Sequence, residues 1–86
     1  MDNIDRAVTI RYLLEEAFQP EFLNIIDESH KHIGHAHFGG GHFKVQITSG
    51  RFTGLSRLEI HRRIFDALRD LMELDIHALA IEASAI

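Results

Sequence analysis

The segment that decides the fold is HFKVQIT at residues 42–48. Its apolar side chains alternate with polar ones, which predicts a β-strand with one face toward a core. Residues 22–28 are rich in branched side chains and predict a second strand just before it. The intervening residues 29–41, SHKHIGHAHFGGG, are polar and glycine-rich, which predicts a loop. Two successive strands joined in this way are expected to pair antiparallel.

A helix is predicted ahead of the strands, from Ile4 to Phe18, because apolar residues recur there every three or four positions. Pro20 ends it, since proline lacks an amide donor and disfavours helix in the residue before it. Two apolar stripes that share Ala17 fit the spacing, and the residues leave both open: Ile4, Val8 and Tyr12, or Ile10, Leu13 and Leu14.

A second helix is predicted after the strands, where Ser56 and Glu59 form an S-x-x-E capping box. We expect its inner stripe to contain Leu58, Phe65, Leu68, Leu71 and Met72, with Ile64 beside them. Its outer face is predicted to carry Arg57, Arg62, Arg63, Asp66, Arg69 and Asp70.

The last predicted element is residues 76–83, a short and nearly all-apolar run. Such a run is typical of a strand that is reached by a helical crossover and lies parallel to its neighbour. The predicted order α-β-β-α-β therefore indicates an α+β fold, a three-stranded mixed sheet with helices packed on one face. At 86 residues, we expect residues 1–86 to form one domain.

The composition excludes several function classes. The chain has no cysteine and seven histidines, so metal chemistry must use imidazole nitrogen or a partner's sulfur. No apolar run is long enough to cross a membrane and the acidic N-terminus lacks signal-peptide features, so we expect a soluble cytoplasmic protein without membrane association. The net charge of −4 argues against a general polyanion binder. Motifs of metalloproteases, phosphate-binding loops and serine hydrolases are absent, so we do not expect an enzyme.

Histidine is the residue type that points to a site. His30, His32, His35 and His37 lie in one short stretch, and His77 opens the last predicted strand. If the second and third strands are parallel neighbours, their starts share one end of the sheet, which brings His77 toward the loop histidines. Two imidazoles would supply half of a tetrahedral site, open to ligands from another molecule.

The alternatives to this site are structural. A histidine-rich loop is most often a solvated segment, and a lone histidine on an apolar strand is more often hydrogen-bonded within the fold than a ligand. His42 and His61 are expected to be structural, and the arginines of the second helix are expected to be a solvated face before they are a nucleic-acid surface.

Several spaced motifs resemble one family. Residues 27–32 (DESHKH), 42–45 (HFKV), 51–56 (RFTGLS) with the following His61-Arg62, and 77–81 (HALAI) together closely resemble the BolA family. The resemblance extends over roughly residues 4–83 and implies a class-II KH-like fold of order α-β-β-α-β. That order agrees with the one predicted from periodicity alone.

The resemblance also implies a partner and a cofactor. BolA-like proteins bind monothiol glutaredoxins, and the pair holds a [2Fe-2S] cluster through the glutaredoxin cysteine, a glutathione thiolate and two residues of the BolA-like chain. The family motifs match those two ligands to His77 and His32. Because residues 33–41 differ from the usual family loop, His30, His35 and His37 are alternatives to His32. Imidazole in place of thiolate is expected to raise the reduction potential, as in Rieske centres. No cluster is expected to bind the isolated chain tightly.

Two other functions remain open. Some BolA relatives are described as DNA-binding transcriptional regulators of stress response and cell morphology, for which the candidate contacts are Arg51, Arg57, Arg62, Arg63 and Arg69. The KH G-x-x-G loop is absent, however, and fold alone proves little. The loop histidines alone could instead form a divalent-metal buffer. We expect the free chain to be a monomer or a weak homodimer.

Overall fold

The computed structural model describes residues 2–29 and 41–86, with only the backbone described at His77. In chain order the elements are α1 (Asn3–Phe18), β1 (Phe22–Asp27), β2 (Gly41–Thr48), a 3-10 turn (Gly50–Phe52), α2 (Arg57–Ala67), α3 (Arg69–Leu74) and β3 (Ile76–Ser84). The predicted α+β architecture is confirmed. The second predicted helix is in fact two, because Leu68 leaves helical geometry at φ −105° and ψ 11°. No glycine or proline marks that break in the sequence.

β2 is the central strand of a three-stranded sheet with the order β1-β2-β3. β1 pairs with it antiparallel from Phe22 opposite Thr48 to Asp27 opposite Phe43. β3 pairs with β2 in parallel and ends with Ser84 opposite Thr48. The predicted pairing is therefore confirmed, and β2 and β3 begin at the same end of the sheet.

The core lies between one face of the sheet and the helices. The alternating residues Phe43, Val45 and Ile47 of β2 are buried there. From α1 the core receives Ile10, Leu14 and Phe18, whereas the alternative stripe of Ile4, Val8 and Tyr12 is 61–75% exposed. The reason is visible in the sequence: three and four residues after Tyr12 come Glu15 and Glu16, so that stripe cannot continue as an apolar face.

The predicted inner stripe of the second helix is partly wrong. Ile64, Leu68 and Leu71 are buried as predicted, but Leu58 is 59% exposed and Phe65 is 39% exposed. Ile60, which the prediction omitted, is buried in their place. With 3.6 residues per turn, Leu58 and Phe65 lie about 120–140° around α2 from the direction of Ile60 and Ile64. The helix is thus rotated about its axis relative to the prediction.

Helix boundaries follow ordinary capping chemistry. The capping box is present as predicted: the amide of Glu59 donates to Ser56 Oγ, and the amide of Ser56 donates to Glu59 Oε1, each over 3.1 Å. At the end of α1, Gln19 adopts a left-handed conformation with φ 44° ahead of Pro20. Within the described ranges, no helix combines the length and apolarity that a membrane crossing requires.

Candidate functional site

The site predicted from the histidines lies at the end of the sheet where β2 and β3 begin. Gly41 is paired with Ile76, but the next residue, His42, is paired with Ala78. His77 is therefore the extra residue of a β-bulge, a device that redirects a side chain at the rim of a sheet. The amide of Gly41 also donates to the carbonyl of Asp75 over 3.1 Å. The backbone of His77 is thus held close to Gly41, the first residue of β2.

We call Ser29 and Gly41, the described residues on either side of residues 30–40, the two stems. The stem at Ser29 is fixed by hydrogen bonds. Ser29 Oγ accepts from the amide of His42 and from Asn3 Nδ2, both over 3.0 Å. Its own amide donates to Asp27 Oδ1 over 2.9 Å, and the amide of Glu28 donates to the carbonyl of His42 over 2.7 Å. The chain therefore leaves the sheet at Ser29 directly beside the place where it returns.

The first turn of α1 connects both stems to the start of β3. Asn3 contacts Ser29 through its Nδ2, and its Oδ1 accepts from Arg6 Nη1 over 2.8 Å. Arg6 Nη2 lies 3.5 Å from Asp75 Oδ1, with both side chains largely shielded at 12% and 25% exposure. We call Asn3, Arg6, Ser29 and Asp75 the stem network. It holds residues 29, 41 and 75 in a fixed mutual arrangement around the bulge.

Gly41 is required by packing at this end of the sheet. It is buried, and a Cβ atom built on it would overlap the ring of Phe43. The next residue, His42, is also buried, with 8% of its surface exposed. The structural role expected of His42 stays a prediction, as does that of His61, which is half-buried on α2.

A family model described as BolA-like protein matches residues 14–86. The chain belongs to the BolA family. It is 42% identical over 73 residues to the DNA-binding transcriptional regulator BolA of Escherichia coli, which covers 85% of this chain and 69% of that protein. It is 46% identical over 76 residues to human BolA-like protein 1, covering 86% of this chain and 53%, about half, of the human one. The BolA domain of SufE1 from Arabidopsis thaliana superposes with a TM-score of 0.85 at 35% identity, covering 99% of this chain and 94% of that domain. The resemblance of the motifs and the expected fold are confirmed.

The structure describes only part of the set of candidate ligand residues. His77 lies at the start of β3, as predicted, whereas His30, His32, His35 and His37 fall outside the described residues. Within residues 2–29 and 41–86, no group of three or more histidine, cysteine, aspartate or glutamate side chains is arranged to hold a metal. The chain also lacks cysteine.

Sequence reasoning did not find the stem network of this BolA domain. Ser29 belongs to the DESHKH motif, but Asn3, Arg6 and Asp75 belong to no motif, and Asp75 lies far along the chain from the other two. Their contacts are decided by the packing of α1 against the sheet. The DESHKH motif is the one sequence signal that includes any member of the network.

The five candidate DNA-contacting arginines do not share one face. Arg51 Nη2 donates to Gln19 Oε1 over 2.9 Å, and Arg69 lies 3.1 Å from Asp66. Along α2, Arg57, Arg62 and Arg63 are exposed but are separated by roughly 100–140° around the helix axis. The arginine surface therefore stays a prediction, and the described geometry gives it no continuous stripe.

The face of the sheet that points away from the helices, which we call the open face, carries polar side chains that pair with one another. Asn24 donates to Gln46, Gln46 donates to Glu82 over 3.0 Å, and Lys44 Nζ lies 2.6 Å from Glu82 Oε2. The hydrogen bond and charge of Glu82 raise the pKa of Lys44. The bonds from Lys44 and then Gln46 lower the pKa of Glu82. Both groups are therefore charged at neutral pH, and each neutralises the other.

Proposed function

We propose that this protein is a non-catalytic cytoplasmic adaptor that binds a monothiol glutaredoxin and contributes His77 and His32 to a shared [2Fe-2S] cluster. His30, His35 and His37 are the alternative loop ligands. The role we propose is cluster assembly or trafficking, with the cluster as cargo. Membership in the BolA family and the arrangement of backbone around His77 support it.

The observation that carries the proposal is the bulge at His77 opposite the Gly41–His42 step. It brings the head of β3 next to the point where the histidine-rich stretch rejoins the sheet. At the other stem, position 32 follows the anchored Ser29 by three residues, a reach of at most about 11 Å of extended chain. Chain length therefore permits imidazoles at 77 and 32 to act on one metal centre.

The donor chemistry agrees with a shared centre. When bound, the cluster supplies electron-transfer and sulfur chemistry that this chain lacks. The chain itself would supply two neutral imidazoles, which are common ligands of iron, while thiolates would come from glutaredoxin and glutathione. The stem network would hold the backbone of both ligand-bearing segments, a supporting shell on which metal affinity usually depends.

The test is a titration of the protein with a cluster-loaded monothiol glutaredoxin, followed by visible absorption and circular dichroism. We expect His77→Ala to abolish the spectral change and His32→Ala to weaken it only partly, because neighbouring histidines can substitute. His61→Ala is the matched control, since it removes an imidazole on α2, away from this end of the sheet. An unchanged spectrum for His77→Ala refutes the assignment.

The same variants separate the cluster site from a divalent-metal buffer. If the histidine-rich stretch alone binds metal, calorimetric titration with zinc gives the same affinity for the wild type and His77→Ala. The adaptor proposal instead expects a coloured complex only when glutaredoxin is present. Co-expression with glutaredoxin, followed by size-exclusion chromatography, shows whether the two proteins elute together.

DNA binding is the second candidate, favoured by the name of the Escherichia coli relative. It requires at least part of the set Arg51, Arg57, Arg62, Arg63 and Arg69 to contact phosphate. An electrophoretic mobility shift that weakens steeply with salt supports this function, and absence of a shift at low salt excludes it.

A further inference from the structure

The outer edges of β1 and β3 differ in their hydrogen bonding. At the outer edge of β1, Arg11 Nη2 donates to the carbonyl of Leu23 over 3.1 Å, so a side chain from α1 occupies one outward group of that edge. β3 forms the other edge. An uncovered edge strand presents a row of backbone donors and acceptors to which another chain can pair. Pairing at the edge of β3 therefore depends on which of its backbone groups point away from β2.

The register identifies the outward-facing groups of β3. The carbonyl of Ser84 points toward β2, because it accepts from the amide of Ser49 over 3.1 Å. Alternate residues of a strand direct their amide and carbonyl groups to opposite edges. Leu79, Ile81 and Ala83 therefore direct theirs away from β2. Within residues 2–29 and 41–86, no hydrogen bond ends on these outward groups.

β3 also lacks the features that usually protect an edge. Natural edge strands carry proline, lysine, inward-pointing charge or a bulge that disrupts pairing. Residues 78–83 read ALAIEA, and the bulge at His77 comes before them. The charge in this run, Glu82, is on the open face and pairs with Lys44. Small alanine side chains make close approach of another backbone easy.

A groove of about 890 Å³ extends around this edge, and Gln46, Thr48 and Ser84 on the open face of the sheet form part of its polar lining. Its lining includes Phe52, Leu55 and Ile60 from the helical layer and Ile81 and Ala83 from β3. The flank of α2 that faces the groove carries His61, and the exposed Leu58 and Phe65 follow on that side of the helix. If another chain paired with β3 as an added strand, every second side chain of that strand would lie beneath the side of α2 that carries His61.

The charge around the groove selects the class of occupant. Arg57 lines the groove and forms no ion pair with any residue in the described part of the chain. The whole chain has a net charge of −4, and Glu82 also lines the groove, which disfavours a nucleic acid there. If the occupant were the β3 strand of a second copy, its one acidic side chain for Arg57 would be Glu82, which already pairs with Lys44.

We propose that the free edge of β3 and the adjoining groove bind an extended peptide segment of another protein as an added strand. Its alternate apolar side chains would fill the groove beneath α2, and an acidic side chain would pair with Arg57. Backbone bonds to Leu79, Ile81 and Ala83 would provide affinity, and the groove would provide specificity. This interaction surface is independent of the cluster site, since it uses the flank of the sheet and α2.

The test uses ¹⁵N-labelled protein and two capped octapeptides, EVTVTVTE and KVTVTVTK, which share their alternation and differ in terminal charge. We expect EVTVTVTE to shift the amide resonances of residues 79–83 and of the first turns of α2. We expect it to bind about fivefold more tightly than KVTVTVTK, the effect of an exposed charge pair against a repulsive one. Absence of shifts at millimolar peptide, or shifts only elsewhere, overturns the proposal.

Three variants make the test specific. Ala83→Pro removes one outward amide without touching the bonds to β2 and should weaken binding about fivefold, the effect of one hydrogen bond. Leu58→Glu places a charge one turn of α2 away from His61, which lines the groove, and should weaken binding of EVTVTVTE even if Ala83→Pro does not fold. Val8→Glu is the matched control, because Val8 is 62% exposed and Leu58 59%. Equal loss with Val8→Glu contradicts the proposal.

Two competing occupants are distinguished in the same experiment. If oligothymidine at low salt produces the same shifts, the groove is a nucleic-acid surface and the peptide proposal is wrong. If analytical ultracentrifugation of the free protein shows a dimer that Leu58→Glu dissociates, the occupant is a second copy. Peptide-dependent shifts from a monomer support the proposal.

Discussion

Ser29→Ala tests whether the stem network holds the candidate site together. The substitution removes the oxygen that accepts hydrogen bonds from the His42 amide and from Asn3 Nδ2, both over 3.0 Å. His42 is only 8% exposed, so water cannot easily replace the lost acceptor. Leaving a buried donor unsatisfied costs about 1–3 kcal/mol, and the partly exposed Asn3 bond adds less. We therefore expect a loss of about 2 kcal/mol, a factor of about 30 in the unfolding equilibrium.

Urea denaturation followed by far-ultraviolet circular dichroism measures this change. With an m-value of about 1–2 kcal/mol/M, the midpoint should fall by about 1–2 M. Ser84→Ala is the matched control, since it removes a hydroxyl whose bond to Thr48 Oγ1 is exposed, and it should cost less than about 0.5 kcal/mol. Equal effects of the two substitutions refute the reasoning. Asn3→Ala combined with Ser29→Ala should cost less than the sum of both, because they share one bond.

Three further predictions concern the sheet and the helices. Gly41→Ala should destabilise the fold by about 1–3 kcal/mol in urea, because the new methyl group overlaps the ring of Phe43. Hydrogen bonds from Ser56 lower the pKa of Glu59. The ionised carboxylate therefore stabilises the fold above the ordinary carboxyl pKa, and this contribution is lost as pH falls through the lowered value. In urea denaturation, the free energy of unfolding of Glu59→Gln should depend less on pH in that acidic range than that of the wild type. Because Ile64 is buried and Leu58 is exposed, Ile64→Ala should lower the free energy of unfolding by about 2–5 kcal/mol and Leu58→Ala by no more than about 0.5 kcal/mol. Thermal unfolding that gives the reverse order contradicts the observed rotation of α2.

Periodicity predicted the strands well because each strand carries its own pattern. HFKVQIT alternates, and the nearly all-apolar run at residues 76–83 has the pattern of a strand that lies parallel to its neighbour. The α-β-β-α-β order, the antiparallel pairing of β1 with β2 and the parallel orientation of the last strand followed from these patterns. The capping box at Ser56 was also readable, because its bonds are local.

Helix orientation was harder to predict because apolar residues occur on more than one side of each helix. Leu58 and Phe65 are as apolar as Ile60, and local spacing does not say which of them faces the sheet. The break at Leu68 likewise has no local signal. Both are decided when the helices pack on the sheet, since the whole face must then fit the surface formed by Phe43, Val45 and Ile47.

The sequence by itself determined the order of elements, the absence of thiolate ligands and the histidine at the head of the last strand. Only the tertiary structure decided that a bulge sets the backbone of His77 beside Gly41 and that α1 ties both stems to β3. It also decided that Arg11 bonds to the outer edge of β1, whereas no hydrogen bond from residues 2–29 and 41–86 reaches the outer edge of β3. The physical reason is the separation along the chain over which each interaction acts. Alternation, capping and composition act between neighbours in the chain, whereas register, side-chain bridges such as Arg6 to Asp75, and edge coverage arise only when distant segments are packed together.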